Sequence, residues 1–286
     1  EYKLVGEGIS PAETFEFTIA KAGVENGGVE ADKQGTPTVG AVSYTEEDGA
    51  TTAGKKNPVT VTLPTYTSVG VYSYTITETK GTTAGVTYDS VPVTMKVTVI
   101  DNNGTLEIAA VSFTKDGKKL GDEAAFTNTY TANKLSISKT VAGNLGDKSK
   151  YFDFTVKLEG TKEGITYPTS YNVEVKGSKE SNPSTINLNE DTKFELKHGD
   201  TVTIANLPEG VKYTVTEADY KNEKYETTSE NATGTMDAEA KTAAFTNTKT
   251  GDIDTGVYLD NLPYILAFAG VLAIATVFVV RRRRFE

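Results

Sequence analysis

Cysteine and tryptophan are absent from the 286-residue chain, histidine occurs once, and arginine occurs only as the run Arg281, Arg282, Arg283, Arg284. Without cysteine there is no disulfide scaffold and no thiolate-ligated zinc or iron–sulfur site. A Ser-His-Asp or Cys-His arrangement would have only His198 to draw on, and no thiol. Basic groups are outnumbered, with 29 Lys and Arg against 39 Asp and Glu. Residues 1–256, which hold none of the arginine, carry a net charge of −12. A body this acidic repels a phosphate backbone, so nucleic acid is excluded as a partner. No polar cluster suggests turnover chemistry, and no cofactor or metal site is expected. His198 reads as part of a turn in LysHisGlyAsp at 197–200. Disorder is excluded as well, because apolar residues alternate over long stretches.

What is present begins with the tail. Leu262 to Val280 is 19 residues without a charge, close to the roughly 20 that span a bilayer core. The arginine run follows at once. By the positive-inside rule that end stays in the cytoplasm and residues 1–260 lie outside. The expectation is an exported chain held by a C-terminal transmembrane helix, from which a leader ahead of Glu1 has been removed. Such a chain, lacking cysteine, needs some other source of robustness.

The body repeats itself. PheGluPheThrIle at 15–19 matches PheAspPheThrVal at 152–156, and TyrThrIleThrGlu at 74–78 matches TyrThrValThrGlu at 213–217. AlaAlaPheThrAsnThr occurs at 124–129 and again at 243–248. The order is conserved between the copies, which implies two homologous domains, 1–131 and 134–249, followed by a tail at 250–286. The junction Thr131–Lys134 is short enough for a rod. β-formers alternate in LysValThrValIle at 96–100 and ThrValThrIleAla at 201–205, and Gly, Asn, Asp and Pro punctuate the strands. The reading is all-β, with each domain a β-sandwich.

Parity then singles out polar residues. Residues two apart in a strand share a face. Lys139 shares one with Leu135 and Ile137, Glu217 with Tyr213 and Val215, and Asn247 with Phe245. The first copy places Lys3 with Val5, Glu78 with Tyr74 and Ile76, and Asn128 with Phe126. Each domain is thus expected to turn one Lys, one Glu and one Asn towards its core, at a cost of several kcal/mol per group unless they are paired or neutral. Singly, Glu217 reads as a strand-end carboxylate, Asn247 as a turn residue and Lys139 as a snorkelling side chain. Their recurrence as a triple argues otherwise.

One reaction uses the three together. Burial drives Lys towards its neutral, nucleophilic form and Glu towards its acid form. The acid can polarise the Asn side-chain carbonyl and pass protons to departing ammonia. Proximity supplies about 7–11 kcal/mol of the barrier. The product is a Lys–Asn isopeptide bond, formed once and never turned over. It would do the work of a disulfide.

These pieces resemble the backbone pilins of Gram-positive bacteria, of the streptococcal T-antigen-like (FctA-type) group. The resemblance rests on LysThrValAlaGly at 139–143, PheGluLeuLysHisGlyAsp at 194–200, LeuProGluGlyValLysTyrThrValThrGlu at 207–217 and PheThrAsnThr at 245–248. In the first copy it rests on ProAlaGluThrPheGluPhe at 11–17, TyrSerTyrThrIleThrGlu at 72–78, GlyValThrTyrAsp at 85–89 and PheThrAsnThr at 126–129. It implies immunoglobulin-like (CnaB-like) sandwiches, with bonds Lys3–Asn128 and Lys139–Asn247 and Glu78 and Glu217 as catalytic residues. It also implies a sorting signal, matched at 252–256 only by Thr255 and Gly256, which points to a dedicated pilin sortase. That sortase would cleave between those two residues and join Thr255 to Lys118 or Lys119 of an identical subunit. The implied partners are identical subunits, the sortase, peptidoglycan or a basal pilin, and the membrane before sorting. The alternative is a monomeric wall-anchored adhesin built from the same domains.

Overall fold

Alternating Val, Ile, Thr, Tyr and Phe favour strands because one face of each can pack while the other meets water. A computed structural model of the chain describes residues 1–252 apart from 28–29, 31–33, 178 and 180. It is all-β, with a short 3-10 turn at Lys221–Glu223. The membrane span expected at 262–280, the arginine run and the Thr255–Gly256 site lie outside the described residues. Among the residues described, no helix is long and apolar enough to cross a membrane.

Glu1–Lys249 is one compact unit. In its C-terminal half, Ser170–Lys176, Thr201–Pro208, Asn128–Ala142, Lys241–Thr248 and Glu226–Glu230 lie side by side in that order. The facing sheet is Asp191–Leu196, Phe152–Gly160, Val211–Glu217 and Thr233–Thr235. Leu135, Ile137, Phe154, Val202, Val215 and Phe245 fill the space between them. In the N-terminal half the main sheet runs Thr105–Lys115, Val93–Asn102, Gly70–Glu78, Phe17–Glu25. It packs Tyr72, Tyr74, Ile76, Met95 and Val97 against Phe126. A second cluster gathers Tyr2, Phe15, Tyr44 and Tyr130, with the Tyr2 and Phe15 rings edge to face at 5.1 Å.

The expected short junction is not a linker. Thr131–Lys134 lies inside one 15-residue strand, Asn128–Ala142, which serves both halves. Tyr2–Gly6 pairs with its beginning and Lys241–Thr248 with its end, both in parallel. Other main-chain bonds brace the same region: Thr166 N–H to the Thr82 carbonyl at 2.7 Å, Ala84 N–H to the Thr166 carbonyl at 2.9 Å and Glu209 N–H to the Thr131 carbonyl at 2.9 Å.

Sharing a strand creates a parity problem. Asn128, Tyr130 and Ala132 are buried in the first half, and Leu135, Ile137, Lys139 and Val141 in the second. Even positions become odd ones. The change occurs at a register shift between Asn133 and Leu135 in the pairing with Thr201–Pro208. One extra residue there swaps the faces, as a β-bulge does. Asn133 holds the irregularity: its Nδ2 donates to the Ala238 carbonyl at 2.7 Å, and its Oδ1 accepts the Lys134 N–H at 2.9 Å. Asn133→Ala is expected to cost about 1 kcal/mol, because it removes two part-buried hydrogen bonds that hold the irregularity. Equilibrium urea unfolding should show a lower midpoint with an unchanged slope.

Candidate functional site with two buried glutamate–asparagine pairs

The strand pairing brings Lys139, Glu217 and Asn247 together. Lys139 sits opposite Phe245 in the parallel ladder, so Asn247 follows two residues along on the same face. Glu217 ends the strand Val211–Glu217 in the facing sheet. The Lys139 Nζ donates to Glu217 Oε1 at 2.8 Å, and the Asn247 Nδ2 donates to the same oxygen at 2.6 Å. The Lys139 side chain has no exposed surface and that of Glu217 has 2%. The Lys139 Nζ lies 4.2 Å from the Phe152 ring centre and 5.7 Å from that of Phe154.

Burial pulls the Lys139 amine below its usual range, against the hydrogen bond and charge of Glu217. Burial pushes the Glu217 carboxyl up, against Lys139 and Asn247. Both groups are driven towards their neutral forms. Moving the proton from amine to carboxyl removes two charges from an apolar core. Glu217 Oε2 and Asn247 Oδ1 are buried and have no hydrogen-bond partner among the described residues. Protonation would turn the carboxyl from an acceptor into a donor, the kind of group these two oxygens lack.

A turn the sequence marked only as a turn steadies Lys139 from outside. Lys139 N–H donates to the Asp200 carbonyl at 3.2 Å, Gly199 N–H donates to the Lys139 carbonyl at 2.9 Å, and His198 Nδ1 accepts the Val141 N–H at 3.0 Å.

The first half brings Glu78 and Asn128 together but not Lys3. Asn128 Nδ2 donates to Glu78 Oε2 at 3.0 Å, and both residues are buried. The Lys3 side chain is 41% exposed and its Nζ pairs with Glu1 Oε2 at 3.3 Å. The expected face was wrong by one residue. Tyr2 is the core residue, and Lys3 and Val5 point the other way, with Val5 38% exposed. Lys3 lies opposite Thr129, whereas Lys139 lies opposite Phe245.

Asp89 was missed, although it ends the GlyValThrTyrAsp string. Its N–H donates to Asn128 Oδ1 at 2.7 Å. Its carboxylate accepts from Val91 N–H at 3.0 Å, Thr127 N–H at 2.9 Å and the Lys115 Nζ at 2.5 Å. Burial alone would raise the Asp89 carboxyl, but these bonds outweigh it and hold the carboxyl below its ordinary value. No sequence period marks a residue that acts through its main chain.

Lys118 and Lys119 are exposed, just past a tight hairpin at Asp116 and Gly117, both at positive φ. An Asp-Gly pair is suited to that turn. Among the described residues there is no group of three His, Asp or Glu that could hold a metal.

Burial raises the Glu78 carboxyl to about 7. A carboxyl with a raised folded-state pKa contributes stability below its unfolded value, and that contribution is lost as pH rises through the folded value. The window is about pH 4.5 to 7, and the loss is on the order of 3 kcal/mol. Glu78→Gln should flatten the dependence across that window, as read by urea unfolding at pH 5 and pH 8.

A family model described as the Spy0128-like isopeptide containing domain matches residues 2–131. A second, described as a domain of unknown function, matches residues 133–249. A pilin of Streptococcus pyogenes serotype M1 is 31% identical over 255 residues, covering 82% of this chain and 73% of the relative. A pilus tip adhesin of Streptococcus pyogenes is 32% identical over 136 residues, covering 45% of this chain and 18% of the relative. The crystal structure of the major pilin from Streptococcus pyogenes superposes with a TM-score of 0.54 at 26% identity, covering 87% of this chain and 96% of that one. The chain belongs to the Spy0128-like family of pilins.

Proposed function

We propose that this backbone-pilin-like protein is the repeating structural subunit of a covalent surface fibre, made rigid by an internal Lys139–Asn247 bond. The triad of Lys139, Glu217 and Asn247 carries the proposal. The neutral Lys139 amine attacks the Asn247 side-chain carbon. Glu217, touching both groups through Oε1, takes the amine proton and delivers one to the leaving nitrogen. A C–N bond forms, the amide C–N bond breaks, and ammonia leaves. No water or cofactor enters the balance. The preset contacts replace a bimolecular encounter, and the apolar surroundings favour the neutral reactants. The bond closes a loop on the order of 100 residues, a constraint worth about 4–5 kcal/mol by the chain-entropy argument.

Fibre assembly is the second part of the reading. The reading divides the body into 1–131 and 134–249, each an immunoglobulin-like sandwich, and the separate family matches at 2–131 and 133–249 support treating the halves as two units of the fibre. A membrane-held tail would present Thr255 to a pilin sortase, which passes it to Lys118 or Lys119 of an identical subunit and finally to peptidoglycan or a basal pilin. The exposed hairpin suits an acceptor. The similarity to a tip adhesin over 45% of the chain favours, as a second reading, a wall-anchored adhesin with the same internal bond.

Intact mass tests the bond. The chain should weigh one ammonia less than its sequence, and a tandem spectrum should join Lys139 to Asn247. Glu217→Ala should keep that ammonia and lose several kcal/mol of stability; a variant that still forms the bond removes Glu217 from the mechanism. For assembly, Lys119→Arg should collapse the high-mass ladder in wall extracts. A protein that shows no ladder even unmodified is the adhesin instead.

A further inference from the structure

The chain that follows Glu217 does not leave the sheet at once. Glu217 lies opposite Phe154 at the end of the ladder between Phe152–Gly160 and Val211–Glu217. Residues 218–225 then fold back over the start of Phe152–Gly160 through the 3-10 turn at Lys221–Glu223, which closes on Lys224 at a φ of 63°. Asp219, Lys221, Asn222, Glu223 and Lys224 point to water. Tyr220 is half-buried and Tyr225 is buried. None of residues 218–225 belongs to a strand.

Both tyrosine rings rest on Phe152. Tyr220 meets it at 4.9 Å with an interplanar angle of 74°, and Tyr225 at 5.3 Å with 86°, both edge to face. Such pairs hold beyond the area they bury. Phe152 has no exposed surface, and it is also the ring 4.2 Å from the Lys139 Nζ. One aromatic side chain therefore carries the buried amine and both tyrosines. Lys150 and Lys249 lie over Tyr220 and Tyr225, at 4.9 and 5.2 Å.

The ties that hold the segment down run to 147–153. Asp153 makes three of them. Its carbonyl accepts the Ala218 N–H at 2.9 Å, its N–H donates to the Tyr220 hydroxyl at 2.9 Å, and that hydroxyl donates to its Oδ2 at 3.1 Å. Asp147 N–H donates to the Tyr225 hydroxyl at 3.0 Å, and Lys150 pairs with Glu223 at 3.0 Å. A segment held in this way can lift without breaking a rung of either sheet.

We propose that residues 218–225 are an aromatic lid over the Lys139 amine, and that Tyr220 is the positioning residue whose ring keeps it sealed. Tyr220 touches neither the amine nor the Asn247 amide. It acts through Phe152, and its bonds to Asp153 fix the chain one residue beyond Glu217. With water excluded, burial pulls the amine towards its neutral form. Water admitted past the lid would solvate the ammonium and keep it charged. The purpose of the lid rests on the proposed Lys139–Asn247 reaction, but its closure can be read without that reaction.

The test starts from Asn247→Ala, in which Lys139 keeps a free amine whatever the native chain does. Acetylation of Lys139 by a water-soluble reagent is followed by tandem mass spectrometry. Adding Tyr220→Ala should speed it on the order of tenfold, a local opening, with amide exchange at Val156 and Ile204 unchanged. Tyr220→Phe, which keeps the ring, should restore most of the protection. Unchanged acetylation in Tyr220→Ala, equal acetylation in the Ala and Phe variants, or a parallel rise in exchange at Val156 and Ile204 overturns the lid. With Asn247 in place, intact mass after cell-free synthesis should show ammonia leaving on the order of tenfold more slowly in Tyr220→Ala; an equal rate overturns the positioning role. A native chain that never loses ammonia rejects the bond itself, and the acetylation rates still decide the lid.

Discussion

An amine without exposed surface cannot remain charged in an apolar core unless something close by answers the charge. Among the described residues, the groups that answer Lys139 are Glu217 Oε1 and the faces of Phe152 and Phe154. The ion pair and the neutral pair are both available, and burial tilts the balance to the neutral one. The proposed nucleophile, acid and polarised amide all rest on that tilt. A surface Lys–Glu pair of the same length, such as Lys179 with Glu195 at 2.7 Å, is screened by water and acquires none of these properties.

The shared strand Asn128–Ala142 decides where such a site has mechanical meaning. Its N-terminal end carries Asn128 and its C-terminal end carries Lys139, with the Asn133 bulge between. In the proposed fibre, tension passed between the halves would run largely through this strand, because both parallel partners, Tyr2–Gly6 and Lys241–Thr248, lie against it. Parallel strands pulled from opposite ends shear all their hydrogen bonds at once. A covalent link between Lys139 and Asn247 would sit across that shear plane and leave little chain free to extend.

Much of this was legible in the sequence because two copies could be compared. Repeated strings set the domain-scale order, and a period of two placed Glu78, Glu217, Asn128, Asn247 and Lys139 on inward faces, where the structure has them. Parity failed at Lys3 for a definite reason. Only five residues define that strand, Tyr2–Gly6, and apolar character alone favours Val5 as its core anchor. Tyr2, an aromatic whose hydroxyl makes it equally at home on a surface, is the true one. The bulge at Asn133 was invisible for a related reason: it conserves the apolar pattern of each half and alters only the phase between them. Asp89 contributes through its N–H, and main-chain donors leave no trace in residue type.

The two copies of AlaAlaPheThrAsnThr carry the broader point. Propensity, pattern and even exact identity over six residues did not determine whether the segment became a strand. At 124–129 only the last two residues are in a strand. The copy at 243–248 pairs with the shared strand from Ile137 to Ala142, and a parallel strand gains its hydrogen bonds only from a neighbour, with the loop-closure entropy of bringing one in recovered only when the whole ladder forms. The chemistry obeys the same condition. Glu78 and Asn128 are buried and bonded to one another, and Asn128 Oδ1 accepts the Asp89 N–H, but among the described residues no lysine amine bonds to them as Lys139 bonds to Glu217. In the proposed reaction, the strand that pairs with Lys241–Thr248 is also the strand that carries the attacking lysine, Lys139.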